Sequence, residues 1–344
     1  MATHWKTTSA AALALGGAGV LAWSTLRRSA RFDLARKVVL ITGGSRGLGF
    51  QLAREFGGRG ATVVICSRDE AELARAQDDL TSRGIVAQGI PCDVSDQRQV
   101  ENLIQQTVHA AGTIDVLVNN AGIIQVGPLS QMTIADFDNA MNVMFWGTLY
   151  PTLAALPILR EHRDARIVNI TSIGGKISVP HLLPYCCAKF ATVALSEGLR
   201  SELESCGIKV TTVVPGLMRT GSHLHASFKG DQAKEYAWFS LSAATPLAAI
   251  SAERAARSIV RAAIRGDAEK ILSVPADVAA RLHGIAPEIT AAISSFVSRL
   301  LPRGGGTDGR ANTGAEARGK LNSRLINAAN VFGERAAKAL NQVA

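Results

Sequence analysis

The sequence predicts an α/β fold, a doubly wound parallel sheet with helices on both faces. Short uncharged runs rich in Val and Ile recur from about residue 37 to residue 275, and longer amphipathic segments separate them. Such runs are typical of strands buried on both faces, as in a parallel sheet covered by helices. The composition agrees, because 47% of the residues are hydrophobic and only 5% are aromatic, which indicates an aliphatic core. We expect a single main domain with helices added at both ends of the chain.

The predicted strands and helices alternate along this domain. The strand segments are 38–42, 62–66, one strand within 84–94, 115–119, 166–170, 209–214 and 270–275. The helical segments between them are about 47–57, 69–83, 97–111, 133–161 and 185–206. Strand–helix alternation at this spacing predicts right-handed crossovers between parallel strands.

The first part of the chain, residues 1–35, does not follow this alternation. It contains Thr7–Leu26, a stretch of 20 residues without a charge, which is long enough to cross a bilayer as a helix. More positive charge follows this stretch than precedes it, which predicts a cytoplasmic location for the domain after it. A helix lying on the surface of the protein or membrane and a cleaved signal peptide are the alternatives to a membrane anchor.

The last part of the chain also departs from the pattern that residues 36–275 follow. Residues 276–301 are predicted to form a helical extension with one apolar face. Residues 302–320 are rich in glycine and are predicted to be a mobile linker. Residues 321–344 are predicted to form an amphipathic tail helix, which packs on the core, on a sister subunit or on a membrane surface.

The net charge of +9 does not indicate a nucleic-acid-binding protein, because the basic residues are scattered and are not interleaved with aromatic residues. A membrane surface or an anionic cofactor accounts for the charge better. The five cysteines lack metal-ligand spacing, and the adjacent Cys186 and Cys187 are poorly placed to bridge each other. We therefore expect no metal site, no disulfide framework and a reducing compartment.

A glycine-rich stretch, "TGGSRGLG", follows the first predicted strand directly and opens the first helix. Gly43, Gly47 and Gly49 lack a Cβ, so the backbone there can approach a pyrophosphate closely. The helix that begins at this point offers free N–H groups and the positive end of its dipole. In this strand–loop–helix context, three glycines predict a nucleotide-binding site.

A tyrosine and a lysine stand one helical turn apart in "PYCCAKF". Tyr185 and Lys189 would share a face of the helix, where the ammonium favours the phenolate. This would lower the tyrosine pKa from its ordinary value of about 10 and let the phenol transfer a proton near neutral pH. The spacing is short enough to arise by chance, so it needs support from other residues.

That support comes from a resemblance to a known family. Thr-Gly-x-x-x-Gly-x-Gly at Thr42–Gly49 and Asn-Asn-Ala-Gly at Asn119–Gly122 make the chain resemble the classical short-chain dehydrogenase/reductase family over roughly residues 36–275. The resemblance implies a Rossmann-type sheet and a catalytic group of Asn142, Ser172, Tyr185 and Lys189. In that group Tyr185 would exchange the proton, Ser172 would bind the substrate oxygen, and Asn142 would hold a water next to Lys189.

The resemblance also implies which residues contact the cofactor. Matching positions are Thr42, Gly43, Ser45, Arg46, Gly47, Leu48, Gly49, Arg68, Asp93, Val94, Asn119, Ala121, Gly122, Tyr185, Lys189, Pro215, Gly216 and Thr220.

The end of the second strand predicts NADP(H) over NAD(H). An NAD-selective site places a carboxylate there, whereas this strand continues through Ser67 to Arg68. Arg46 in the glycine loop adds a second guanidinium, and two guanidinium groups suit a 2′-phosphate. Asp69 and Glu70 are the counter-evidence, and we expect them to cap the next helix instead.

We therefore expect an NADP(H)-dependent oxidoreductase that interconverts a carbonyl and a secondary alcohol on a hydrophobic, lipid-like or steroid-like molecule. The apolar residues of the segment 222–242 suggest such a substrate, and loops of this kind usually carry specificity. Family resemblance implies a homodimer or homotetramer. The alternative is a catalytically silent NADP(H)-binding sensor or a membrane-associated scaffold.

Overall fold

Seven parallel strands form the central sheet in the computed structural model of the chain, which describes residues 32–244, 249–302, 310–319 and 336–342. The strands are β1 Val38–Thr42, β2 Thr62–Ser67, β3 Ala87–Pro91, β4 Val116–Asn119, β5 Gln125–Val126, β6 Arg166–Ile170, β7 Lys209–Val214, β8 Met218–Arg219, β9 Ser227–Phe228, β10 Ile250–Ser251, β11 Glu269–Ile271 and β12 Asn312–Thr313. The central sheet has the order β11-β7-β6-β4-β1-β2-β3. This confirms the predicted doubly wound α/β fold.

Helices cover the sheet. They are α1 Gly47–Gly57, α2 Glu70–Ser82, α3 Gln97–Ala111, α4 Ile134–Met141, α5 Gly147–Arg160, α6 Leu183–Leu203, α7 Gln232–Ala244, α8 Ala252–Arg265, α9 Val274–Ile285, α10 Pro287–Leu300 and α11 Gly314–Gly319. Helix α1 packs against α2 and α8, whereas α3 packs against α5, and α4 packs against α6. The five inner strands of the sheet, β1, β2, β4, β6 and β7, are almost fully buried between these layers, as the composition predicts.

The strand order places a crevice at one edge of the sheet. From β1 the chain builds outward through β2 and β3, and from β4 it builds outward in the opposite direction through β6 and β7. The connections therefore diverge between β1 and β4, and ligands of open α/β sheets bind at the carboxyl ends of strands at such a point.

The long helix predicted over 133–161 is interrupted. A π-helical segment, Asn142–Trp146, separates α4 from α5. The extra residue in this turn rotates the side chains that follow it relative to a continuous α-helix. The interruption has a direct effect on the candidate site.

The strand predicted over 270–275 ends at Ile271. Ser273 then caps α9, since its side chain accepts a hydrogen bond from the Ala276 N–H, and Pro275 lies in the first turn of the helix. Proline is favoured in this position because it has no N–H to donate.

The two helices after this strand begin two residues before the predicted helical extension, 276–301, and they expose an apolar stripe. Its exposed side chains are Val274, Val278, Leu282 and Ile285 on α9, and Ile289, Ile293, Phe296, Val297 and Leu300 on α10. Within the described residues, no helix is long and apolar enough to span a membrane. The predicted anchor, residues 7–26, lies outside the described residues.

The predicted linker over 302–320 contains regular structure. Strand β12 pairs antiparallel with β9, and the Gly314 N–H donates to the Ala226 carbonyl. Helix α11 follows and packs against α7. The glycine-rich composition predicts a linker here. The strand was not predicted because its pairing partner, β9, lies far away in the sequence. Of the predicted tail helix, residues 336–342 are described, and 336–339 are helical.

Candidate functional site

A cavity of about 920 Å³ opens at the carboxyl ends of β1 and β4, where the strand connections diverge. Fifteen of the predicted site positions line it: Gly43, Ser45, Arg46, Gly47, Leu48, Arg68, Asp93, Val94, Ala121, Gly122, Tyr185, Lys189, Pro215, Gly216 and Thr220. Ser172 lines it as well. Four other predicted residues, Thr42, Gly49, Asn119 and Asn142, do not line it.

Two of these four hold the glycine loop in place. Thr42 is fully buried, and its hydroxyl accepts hydrogen bonds from the N–H groups of Asn120 and Ala121 at 3.0 and 3.1 Å. A Cβ on Gly49 would lie 2.1 Å from the Gly43 carbonyl oxygen. Gly49 is therefore required for close packing of α1 against the loop, not for contact with a ligand.

Asn119 and Asn120, at the end of β4, also stabilise the structure around the glycine loop. Asn119 is buried, and its amide donates to the Thr152 hydroxyl at 3.0 Å and the Asn169 side chain at 2.9 Å, which ties β4 to α5 and β6. Asn120 lines the cavity and donates to the carbonyls of Thr42 and Gly43. Sequence reasoning did not single out Asn120, although its place in the Asn-Asn-Ala-Gly motif could have found it.

One end of the cavity carries Arg46 beside a buried acid that the sequence analysis missed. The Arg46 guanidinium lies 2.6 Å from the carboxylate of Glu72, which also accepts a hydrogen bond from the Ser45 hydroxyl at 3.0 Å. Arg46 also lies 3.2 Å from Nδ1 of His225. Burial and the Arg46 charge together lower the pKa of His225, which favours its neutral form.

The second arginine at this end is more open. Arg68 is exposed, and its guanidinium is 3.7 Å from the Asp93 carboxylate. Asp93 is also bonded by the backbone N–H and the hydroxyl of Ser95, so it shapes a turn while lining the cavity. Asp69 caps α2 by accepting from the Glu72 N–H, as predicted.

The other end of the cavity brings Ser172, Tyr185 and Lys189 together. Ser172 accepts a hydrogen bond from the Gly174 N–H at 3.0 Å, and its side chain is close enough to Tyr185 to act on the pKa of the phenol. The Lys189 ammonium lies 5.9 Å from the centre of the Tyr185 ring and donates to the Ile170 carbonyl at 2.8 Å. The Tyr-x-x-x-Lys spacing therefore does place both side chains on one face of α6.

Burial dominates the protonation of this pair. It raises the pKa of Tyr185 to about 12, although the neighbouring Ser172 side chain acts in the opposite direction. It also lowers the pKa of Lys189 to about 8. The tyrosine shift runs opposite to the sequence-based expectation, because removing the phenol from water disfavours its anion. The Tyr185 phenol is therefore neutral at neutral pH.

The geometry does not bring Asn142 to this group. Asn142 is exposed at the start of the π-helical segment. The buried Met144 lies near Lys189 instead of Asn142. The Met144 sulfur and the Lys189 ammonium are each 3.8 Å from the position that a Cβ on Gly122 would occupy, so both side chains border the same point. Two residues turn a helix by roughly 200°, so a register error of two reverses the facing direction. The prediction for Asn142 was made from the local motif, which does not define this register.

Apolar side chains continue the cavity beyond the tyrosine. They are Val179, Leu182, Met218, Trp238 and Phe239. Two residues that the sequence suggested for substrate contact, Leu224 and Phe228, are instead buried and outside the lining. The segment 222–242 thus forms one wall of the cavity and part of a separate apolar core.

A polar contact anchors this wall. Glu235 on α7 is fully buried, lies 2.8 Å from Nδ1 of His181 and accepts a hydrogen bond from the Trp238 indole at 2.6 Å. His181 has a left-handed backbone with φ of 62° just before α6. The contact therefore couples α7 to the start of the helix that carries Tyr185.

One lining residue comes from the far end of the chain. Gln342 is 6% exposed, and its amide donates to the Thr220 carbonyl at 2.8 Å. No local pattern in the sequence indicates this contact, because Thr220 and Gln342 are widely separated along the chain.

The lining fits an extended dinucleotide. The cavity joins the glycine loop and the amino end of α1 to the Ser172–Tyr185–Lys189 group, and its volume is in the usual range for ligand sites. Gly43 has φ of 63°, and a Cβ there would lie 2.9 Å from the Ala121 backbone, so the loop is shaped for close backbone approach. Helix N–H groups at this point suit phosphate oxygens.

Comparisons with known proteins agree with this geometry. The family profile of short chain dehydrogenases matches residues 37–228. A "dehydrogenase/reductase SDR family protein 7-like" of Anopheles gambiae is 35% identical over 272 residues, which cover 76% of this chain and 83% of that protein. An "11-beta-hydroxysteroid dehydrogenase A" of Sesamum indicum is 37% identical over 253 residues, 71% of this chain and 70% of that protein.

Solved structures share the fold. A short-chain dehydrogenase/reductase from Burkholderia phymatum in complex with NAD has a TM-score of 0.66 and 23% identity, and the match covers 75% of this chain and 96% of that one. A gluconate 5-dehydrogenase from Burkholderia cenocepacia in complex with NADP and tartrate has a TM-score of 0.63 and 25% identity, covering 72% and 98%.

The packing at the glycine loop makes a stability prediction. Gly49→Ala should lower the free energy of unfolding by about 1–3 kcal/mol or more, because its Cβ would collide with the Gly43 carbonyl. Gly198→Ala on α6 is the matched control, since nothing lies within 4 Å of an added Cβ there. That change should raise stability by about 0.5–1 kcal/mol. Denaturant unfolding measures both, and an unchanged midpoint for Gly49→Ala would contradict the packing argument.

Proposed function

Because the chain belongs to the short-chain dehydrogenase/reductase family, we propose that it is an NADP(H)-dependent oxidoreductase that interconverts a carbonyl and a secondary alcohol on a hydrophobic substrate. The family supports oxidoreductase chemistry at alcohol and carbonyl groups. The observation that carries the specific proposal is that the Tyr185 phenol lines, together with Ser172 and the Lys189 ammonium, a cavity that reaches the glycine loop.

The proposed reduction requires transfer of one proton to the carbonyl oxygen of the substrate. The nicotinamide, when bound, supplies or accepts the hydride. As the carbonyl oxygen gains charge, the Tyr185 hydroxyl gives it a proton, and the Ser172 hydroxyl holds the same oxygen by a hydrogen bond. A Tyr185 pKa of about 12 keeps the phenol protonated before the step, which suits carbonyl reduction.

Lys189 would act through position and charge. Its ammonium is buried and held by the Ile170 carbonyl, at a site where its charge stabilises the phenolate that the proton transfer leaves behind. A lysine pKa of about 8 means that this charge is largely present at neutral pH. The same ammonium is available to bind ribose hydroxyls of the dinucleotide.

Two arginines support the preference for NADP(H). Arg68 is exposed at the rim, near the end of β2, and Arg46 lies at the start of α1. Glu72 opposes the preference, because its carboxylate already pairs with Arg46 and would repel a 2′-phosphate. We propose that the phosphate is bound mainly by Arg68 and that Arg46 must divide its charge between the phosphate and Glu72.

The apolar end of the cavity supports a hydrophobic substrate. Val179, Leu182, Met218, Trp238 and Phe239 surround the space beyond Tyr185. One relative is named for hydroxysteroid dehydrogenase activity, which agrees with a bulky apolar alcohol or ketone. We propose a lipid-like or steroid-like molecule in this space.

The second candidate function is a catalytically silent NADP(H)-binding sensor or a membrane-associated scaffold. The position of Asn142 favours it, since Met144 offers no polar group next to Lys189 where the family pattern implied one. The intact Ser172–Tyr185–Lys189 group favours the enzyme. Dinucleotide binding without turnover of any carbonyl would favour the sensor.

We further propose that the chain self-associates through the apolar stripe on α9 and α10. The two helices carry two acidic and two basic residues, Asp277, Glu288, Arg281 and Arg299. This balance lacks the excess of positive charge with which interfacial helices bind anionic lipid, so a second copy is the better partner. Membrane contact is proposed for residues 7–26 instead, since that stretch has no charge.

Replacing Tyr185 tests the chemistry. Tyr185→Phe should reduce turnover to background while NADPH affinity stays nearly unchanged, because only the proton donor is lost. Tyr150→Phe is the control, since Tyr150 on α5 does not line the cavity. The readout is NADPH absorbance with a panel of apolar ketones. A Tyr185→Phe protein that keeps most of its activity refutes the assignment.

The acid beside Arg46 tests the cofactor preference. Glu72→Gln should strengthen NADPH binding roughly tenfold and leave NADH binding unchanged, because it frees Arg46 for the 2′-phosphate. Glu70→Gln, exposed on the same helix, controls for the loss of one charge. Arg68→Ala should do the reverse and weaken NADPH far more than NADH. Equal changes for both dinucleotides, measured by fluorescence titration, would count against a 2′-phosphate site.

Removing residues 1–30 tests the proposed membrane contact separately from the proposed self-association. The shortened chain should move from the membrane fraction to the soluble fraction, and light scattering should still report a dimer or tetramer because the apolar stripe remains. An unchanged distribution would exclude the anchor. A monomeric mass for both chains would exclude self-association.

A further inference from the structure

The described end of the chain lies across the phosphate end of the dinucleotide cavity. We name residues 336–342 the C-terminal strap. Leu340 and Gln342 are almost fully buried against the glycine loop and the segment that follows β7. These are the two walls between which a bound dinucleotide would pass.

The strap accepts a hydrogen bond from a backbone N–H that a bound phosphate would otherwise use. The Gly47 N–H, at the first position of α1, donates to the Leu340 carbonyl at 2.9 Å. The first N–H groups of a helix have no partner within the helix and bind phosphate oxygens at nucleotide sites. The Leu340 oxygen therefore stands where a phosphate oxygen would accept, and a carbonyl dipole satisfies the helix terminus in place of an anion.

The Gln342 side chain fills the space that Gly47 leaves open. Its amide nitrogen is 2.9 Å from the point where a Gly47 Cβ would stand, and it bonds the Thr220 carbonyl on the opposite wall. Its amide oxygen is buried and has no hydrogen-bond partner in the described part of the chain. An unpaired buried acceptor lowers the free energy of unfolding, so the packed position of the strap is less stable than its burial alone indicates.

The strap is anchored from outside the cavity. The Asn341 amide donates to the carbonyls of Ser45 and Glu72 at 2.8 and 2.9 Å, and its oxygen accepts from Arg75 at 3.2 Å. Asn341 has φ of 54°, a left-handed conformation that asparagine tolerates better than most residues. These bonds tie the strap to Ser45 and Glu72, two residues that line the cavity.

A second contact links the strap to the arginine of the adenosine end. The Gln342 carbonyl lies 2.7 Å from Nε2 of His225, whose Nδ1 faces Arg46 at 3.2 Å. The neutral ring with its proton on Nε2 satisfies both contacts, donating to the carbonyl and accepting from the guanidinium. Movement of the strap would therefore also free His225 and Arg46.

We propose that the C-terminal strap is an internal competitor for the phosphates of the dinucleotide, which closes the cavity in the free protein and withdraws when the dinucleotide binds. The inference rests on the proposed dinucleotide site but not on catalysis. The strap presents an acceptor to a donor that phosphate needs, so the two exclude each other at Gly47. If the strap instead stayed in place as part of the binding site, its side chains would add to dinucleotide affinity.

The test measures NADPH and NADH affinity by fluorescence titration of the full chain. Asn341→Ala removes the external anchors, and Gln342→Ala removes the side chain inside the cavity. Each change should strengthen binding of both dinucleotides by roughly tenfold, because each weakens the competitor. Asn139→Ala, an exposed asparagine on α4, is the matched control and should change nothing.

Trypsin provides a readout that does not depend on activity. Lys338 lies in the strap and is exposed, but cleavage there needs the local chain to open. Saturating NADPH should speed release of the peptide after Lys338, and mass spectrometry follows it. Weaker or unchanged dinucleotide binding in both strap variants, or protection of Lys338 by NADPH, would overturn the proposal. Tighter binding without turnover would support the strap even if the proposed enzyme activity failed.

Discussion

The absence of side chains at the glycine loop is the constraint on which the site depends. A Cβ on Gly49 would strike the Gly43 carbonyl, and one on Gly43 would strike the backbone of Ala121. Helix α1 can therefore start only where β1 ends, with its free N–H groups aimed into the crevice between β1 and β4. Thr42 and Asn120 hold the loop from behind by bonding across the same two strands.

Desolvation controls the opposite end of the cavity. Lys189 is buried and Tyr185 is half-buried, and the loss of water contact shifts each toward its neutral form. In the proposed chemistry, a phenol in this state donates a proton and the neighbouring ammonium stabilises the anion that forms. We propose that carbonyl reduction is the favoured direction, because it begins with a protonated tyrosine and does not require an ionised one.

The same helix terminus takes part in the proposed ligand site and in its proposed closure. The N–H groups at the start of α1 need an acceptor, and the carbonyl of Leu340 supplies one within the chain. Three charged or titratable residues beside it, Glu72, Arg46 and His225, are paired with one another while the strap is in place. A bound anion at this end would therefore change several contacts together, which couples the far end of the chain to the glycine loop.

The sequence by itself determined the sheet, most helices and the spacing of the chemical groups, because strand burial, helix periodicity and the glycine pattern are local properties. It placed Tyr185 and Lys189 one helical turn apart for the same reason, and the family resemblance added Ser172. Only the tertiary structure decided that Met144, and not Asn142, faces Lys189, since a π-helical turn sets that register. It alone also decided the raised tyrosine pKa and the contact of Gln342 with the cavity, because burial and pairing between distant parts of a chain leave no local pattern to read.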